Sequence, residues 1–357
     1  MLWKPMIRLT ENQSITLETL RALSAISVVF AHSFQIFISG YYPQEFIYVG
    51  MIAQLSVVIF FILSGLLIGL SIQNNVHSNK GKFDLPGYAK SRILRIYPPL
   101  VFSLAITACL SIAVIYVFGI ESGYKSPHKF LQGYSFLFDS KEYISTLTFT
   151  NMFTYRHVGS NGALWSLPLE VWFYVLAGLA MLKTRASSVI SLCLFFLLYN
   201  SNPKFLSYST LWFFSFFSSY FIFSKSKYGF YCFSAASLLI AATYHFLYLV
   251  ETSPSYKNFY LYMVMGFVVT PVIFLIIKLN TRITIFNNLS DSSYTLYLIH
   301  FPIMLFISFL TWFYGANKKE IHIALFFVGP IATIAIAHIA GKYSENRNLA
   351  LKSIGLR

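Results

Sequence analysis

Residues 17–37 read LETLRALSAISVVFAHSFQIF, an apolar run of the roughly 20 residues a helix needs to cross a bilayer, with Arg21 and His32 set inside it. Similar runs recur along all 357 residues. They predict helices at 16–38, 48–72, 97–119, 163–182, 187–200, 205–224, 229–250, 258–279, 293–314 and 320–342. Composition agrees, with 57% hydrophobic and 11% charged residues against about 25% charged in soluble domains. The expected fold class is an all-α integral membrane protein, a bundle of about ten transmembrane helices. Residues 1–357 form a single membrane domain, without a cleavable signal peptide or an appended soluble domain. An even number of spans puts both termini on one side. Most of the 26 Lys and Arg fall in the termini and the loops sharing their side, so the positive-inside rule makes that side cytoplasmic. The longest loop, 120–162, lies on the outer side, lacks the repeated period of an independent domain, and is a candidate lid over the outer mouth.

The net charge of +14 invites a nucleic-acid reading, because basic surfaces attract phosphates. The charge sits in short loops between apolar runs, where Lys and Arg set topology. The bilayer, not a nucleic acid, is the expected partner. Cys109, Cys193 and Cys232 lie in apolar runs without paired spacing or a His/Cys neighbour, which predicts neither disulfides nor a bound metal.

An ionisable side chain inside a span costs about 2.5–3.5 kcal/mol on insertion scales, so such residues face a bundle interior, a partner or a water-filled path. Arg21 and His32 are eleven residues apart, three helical turns to within about 20°, and so share a face at roughly 16 Å along the axis. They cannot touch, but they can mark two ends of one path. In ALWSLPLEVWFYVL (163–176), Glu170 sits at the depth of His32 on a span running the other way. A carboxylate beside an imidazole would fix its tautomer and raise its basicity, as a general base acting on a hydroxyl requires. The other reading is that Glu170 pairs with a different buried donor. Trp165 and Trp172 read as belt or packing residues.

Between spans two and three, Arg92 and Arg95 stand one turn apart just before Pro98. Two guanidiniums on one face make a fork for phosphate oxygens; topology is the competing reading, and the one that Lys80, Lys82 and Lys90 take. Ser64 in FFILSGLLIG (60–69) places a hydroxyl beside Gly65. Within a span, Ser-Gly chiefly marks a close helix contact, with the hydroxyl bonded back to its own backbone. In DSSYTLYLIHFPI (291–303), Tyr294, Tyr297 and His300 fall at i, i+3 and i+6, spaced either to line a polar path or to pack through hydrogen bonds. His245, His322 and His338 receive no role.

Five segments, taken together and in order, resemble the acyltransferase-3 family of integral membrane O-acyltransferases: LRALSAISVVFAHS (20–33), VIFFILSGLLI (58–68), KSRILRIYPPL (90–100), ALWSLPLEVWFYV (163–175) and SYTLYLIHFPI (293–303). Each is a weak apolar pattern alone; the ordered set is specific. The resemblance implies a multi-pass protein of the bacterial inner membrane. Such a protein moves an acyl group, commonly acetyl, from cytoplasmic acyl-coenzyme A to a hydroxyl of a carbohydrate or lipid-linked glycan. O-antigen, capsule and exopolysaccharide are the expected acceptors. Acyl-coenzyme A is then a donor substrate, with no permanently bound cofactor.

By the same resemblance, Arg21 and His32 match the family's arginine, ten residues and histidine, with the histidine as base. Arg92 and Arg95 match its Arg-x-x-Arg and, with Arg21, form the acyl-coenzyme A set. Glu170 joins His32 and Arg21 in the catalytic set, and Trp165, Ser166 and Glu170 match Trp-Ser-Leu-x-x-Glu. Ser293, Tyr294, Tyr297 and His300 match the late Ser-Tyr segment, and the substrate path takes in Ser64, Trp165, Ser166, Tyr294, Tyr297 and His300. The stand-alone type, without a fused esterase-like domain, is the expected one. Direct attack on the thioester and a double displacement through Ser64 or His32 both fit. The rival reading is a transporter or glycan flippase, whose paths also hold intramembrane His, Glu and Arg; the paired interrupted helices common in such proteins are not found in this sequence.

Overall fold

The computed structural model describes residues 8–119, 129–155, 158–222 and 227–346. Among these the architecture is all-helical: α1 (Glu11–Ser33), α2 (Phe46–Ser78), α3 (Leu85–Ile112), α4 (Ser140–Leu147), α5 (Leu167–Met181), α6 (Arg185–Ser201), α7 (Lys204–Ile222), α8 (Lys227–Val250), α9 (Pro254–Lys278), α10 (Ser293–Phe313) and α11 (Lys319–Ser344). The chain is an all-α integral membrane protein. Eight helical stretches among the described residues are long and apolar enough to cross a bilayer, rather than the ten read from the sequence. The remaining two expected spans are helices that fall short for different reasons. α6 has only 17 residues. α7 has 19 but carries five serines, all buried, so its polar face is turned inward instead of being diluted by apolar residues.

Two compact units divide the chain, one of Met1–Ser24, Gln54–Ser91 and Leu169–Asn287, the other of Ala25–Ala53, Arg92–Pro168 and Asn288–Arg357. In the first unit α7 packs with α8 and α9. The α2 backbone lies directly on α7: a Cβ built on Gly65 would stand 2.4 Å from the Trp212 carbonyl oxygen, and one on Gly69 2.6 Å from that of Phe216. This is the small-residue contact by which membrane helices approach closely when apolar burial gains nothing over lipid. In the second unit α10 packs on α11, and both touch a π-helical turn, Phe34–Ile38, that continues α1.

Prolines inside helices each free a carbonyl four residues earlier, and in a membrane that oxygen needs another donor. Three helices solve this in one way. Pro302 frees Leu298, whose oxygen accepts from Ser103 Oγ at 2.7 Å and Asn161 Nδ2 at 2.9 Å. Pro330 frees Phe326, which accepts from Ser33 Oγ at 2.9 Å. Pro271 frees Phe267, which accepts from Ser237 Oγ at 2.6 Å. Each bond stays within one unit, and the first two brace the helices that carry His32 and His300.

Of the expected lid loop, 120–128 and 156–157 lie outside the described residues. The part between them holds the short helix α4, capped by Asp139 Oδ1 accepting from the Lys141 amide at 2.8 Å. Glu142 on α4 accepts from the Gly159 amide at 2.9 Å, and the Ser135 amide donates to the Gly159 carbonyl at 3.1 Å. The segment is thereby tied to itself, and its Phe130 and Tyr134 rings lie against Phe301 of α10.

Candidate active site

In the second unit His32 ends α1 and meets His300 of α10. The two imidazoles stack, with centroids 5.3 Å apart and planes at 25°. The edge of Phe301 closes another side of His32 at 5.2 Å. The Nδ1 of His32 lies 2.7 Å from the side-chain oxygen of Gln35, three residues on. A carbonyl-type oxygen only accepts, so Nδ1 carries the hydrogen and the Nε2 of neutral His32 keeps its lone pair. His300 is arranged alike. It is fully buried, and its Nδ1 donates to the Tyr297 carbonyl at 2.7 Å and reaches that of Leu296 at 3.2 Å. Its Nε2 is buried without a hydrogen-bond partner among the described residues. An unmade bond at a buried polar atom costs about 1–3 kcal/mol, and a substrate hydroxyl or a water would relieve it.

The surroundings hold polar groups at measured places. Ser166 and Tyr297 share a hydroxyl–hydroxyl bond of 2.7 Å, joining the Trp-Ser-Leu turn to α10. Trp165 closes the short 3-10 turn Gly162–Trp165, and Tyr294 sits half-buried one turn before Tyr297. Burial pushes the Tyr134 phenol up to about 12, so this group outside the spans is a neutral donor at physiological pH. Arg92 and Arg95 are half-buried on α3, one turn apart.

In the first unit a second polar cluster forms around Ser64. Its hydroxyl donates to Glu170 Oε1 at 2.7 Å, lies 3.0 Å from the Tyr174 hydroxyl, and accepts from Trp212 Nε1 at 3.2 Å. The Tyr174 hydroxyl also donates to Glu170 Oε1. The bonds of Glu170 in this cluster therefore run to Ser64 and Tyr174, and those of the His32 ring to Gln35. Ser64 departs from the backbone bond its sequence context predicted, because a carboxylate is a stronger acceptor than a helix carbonyl already in use. Gly65 beside it does make the close contact. Arg21, on α1, is half-buried.

Sequence reading missed Gln35, Tyr174, Trp212 and the Ser103–Asn161 pair. A neutral amide or phenol in an apolar run carries no insertion penalty large enough to stand out. The Gln35 spacing from His32, the Tyr174 spacing from Glu170 and the Pro302 spacing from Leu298 could have signalled some of them. Among the described residues, no three of His, Cys, Asp and Glu come together as a metal would require.

Comparison with known protein families gives a match. The acyltransferase-3 family model, described as an acyltransferase domain, matches residues 15–341. No curated protein matches the chain. No solved structure matches it either. The matched stretch contains the His32–His300 pair, the Ser64–Glu170 cluster and the Arg92–Arg95 pair. With nearly its whole length matched, this membrane protein belongs to the acyltransferase-3 family, and it is an acyltransferase.

Proposed function

We propose that the protein moves an acyl group, most simply acetyl, from cytoplasmic acyl-coenzyme A to a hydroxyl of a cell-surface carbohydrate such as O-antigen, capsule or exopolysaccharide. It does so in a bacterial inner membrane, with both termini in the cytoplasm. The observation that carries this reading is the imidazole of His32, held through Nδ1 so that Nε2 is the basic nitrogen. In the reaction, Nε2 takes the proton of the acceptor hydroxyl as its oxygen attacks the thioester carbonyl. The C–S bond then breaks, and coenzyme A leaves as a thiolate that recovers the proton from His32 to become the thiol. Proton transfer of this kind contributes about 10²–10⁴-fold.

Arg92 and Arg95 suit the donor's phosphates, since paired guanidiniums bind phosphate oxygens in a fork. Arg21 is included in the donor-binding set on its motif match alone. Ser166, Tyr297, Tyr294 and Trp165 would receive the acceptor sugar beside His300. Ser64 would serve to position Glu170, because its hydroxyl is already committed to the carboxylate. The test is release of free coenzyme A thiol by membranes containing the protein. Release that requires an added glycan acceptor supports the reading, whereas acetyl-coenzyme A left intact across a panel of acceptors and acyl chains would favour transport without acyl transfer.

A further inference from the structure

We propose that Gln35 is the positioning residue of His32: its side-chain oxygen holds the Nδ1 hydrogen and so keeps Nε2 as the nitrogen that receives the acceptor's proton. This rests on His32 being the base. Gln35 is 4% exposed, and its oxygen is 2.7 Å from Nδ1. It sits in the π-helical turn Phe34–Ile38, closed by the Ser39 amide donating to the Phe34 carbonyl at 2.9 Å. Four consecutive residues of this turn, Gln35 to Ile38, are buried, which a regular helix with one face to lipid does not do. Single π turns within helices recur at functional sites.

The turn is held from several sides. Ser39 Oγ donates to the Gln35 carbonyl at 2.6 Å, and Ser33 Oγ bonds the Phe326 carbonyl of α11. The Gln35 amide nitrogen lies 3.7 Å from where a Cβ on Gly50 would stand, an ordinary van der Waals contact. The Ser39 and Ser33 bonds fix the backbone that carries Gln35. An amide also has no charge, so it fixes the tautomer without placing an anion in a buried site, and it leaves the ring less basic than a carboxylate partner would. Among the described residues, titratable groups with ring contacts around the turn are His300 on α10, His322 on α11 against Phe37 and Tyr41, and Tyr134 lying on Phe301. None of these is a carboxylate. On its own helix, Arg21 lies eleven residues before His32.

The experiment compares acyl transfer by wild type, Gln35→Met, Gln35→Glu and His32→Ala in membranes at matched levels, each over a range of pH. Gln35→Met keeps length and volume but lets the ring choose either tautomer. We expect kcat to fall about tenfold or more with KM for acyl-coenzyme A unchanged. Gln35→Glu restores an acceptor and raises imidazole basicity, so it should recover kcat while moving the acidic limb of the profile to higher pH by about one unit or more. A purely structural glutamine would give loss in both variants with the limb in place. Wild-type kcat in Gln35→Met, or an unmoved limb in Gln35→Glu, overturns the proposal. Retained activity in His32→Ala instead overturns the reading beneath it.

Discussion

The imidazoles of His32 and His300 stack 5.3 Å apart, and each is anchored through Nδ1, one to a side-chain amide and the other to backbone carbonyls. His300 is buried and His32 half-buried, and in both rings Nδ1 is the tied nitrogen. Their consequences are open to measurement.

Replacing His300 with Phe keeps a flat ring for stacking and packing but removes the Nε2 that lacks a protein partner. Acyl transfer should fall about tenfold or more, within the range of acid–base groups, while the protein accumulates normally. Full activity of His300→Phe would make the ring a packing plate only.

Arg92→Gln and Arg95→Gln each remove one arm of the guanidinium fork. Loss of a charge-assisted contact made equally in ground and transition states raises KM without lowering kcat. Each change should raise KM for acyl-coenzyme A by about tenfold. A fall in kcat at constant KM would place these residues at the reacting atoms instead.

Ser64→Ala strips the hydroxyl shared by Glu170, Tyr174 and Trp212 and leaves the Trp212 indole without this acceptor. The expected loss is about 1–3 kcal/mol of stability, read as a lower unfolding temperature in detergent, with acyl transfer lowered but not abolished. Abolished transfer at an unchanged melting temperature would make Ser64 an acyl carrier.

Ser103 and Pro302 should be coupled through the Leu298 carbonyl. Ser103→Ala costs about 1 kcal/mol in the wild-type background, where the carbonyl depends on side-chain donors. In Pro302→Ala the restored amide of residue 302 serves that oxygen, so the same change should cost less. Equal costs in both backgrounds would contradict the pairing. A double-mutant cycle of melting temperatures reads it directly.

How much of this was legible in the sequence depended on the size of the physical signal. Apolar runs of spanning length carry the largest one, and all ten expected runs are helices. The count of spans was less secure, because the five serines of α7 look apolar enough in a run of Phe and Leu until their buried side chains are seen. His32, Glu170 and Arg21 stood out because a charge in lipid is costly. Gln35 did not, being neutral, and although Ser64 was noted, its bond to Glu170 was not, because pairing between helices far apart in sequence follows from packing and not from spacing. The π turn after His32 left no mark at all, since one extra residue per turn alters no composition.

The measurement closest to the central claim is transfer of labelled acetyl from acetyl-coenzyme A to isolated surface glycan by membranes bearing wild type or His32→Ala at matched expression. The account predicts labelled glycan from the wild type and a drop of about a hundredfold or more in the variant. Equal labelling by both would contradict the role assigned to His32.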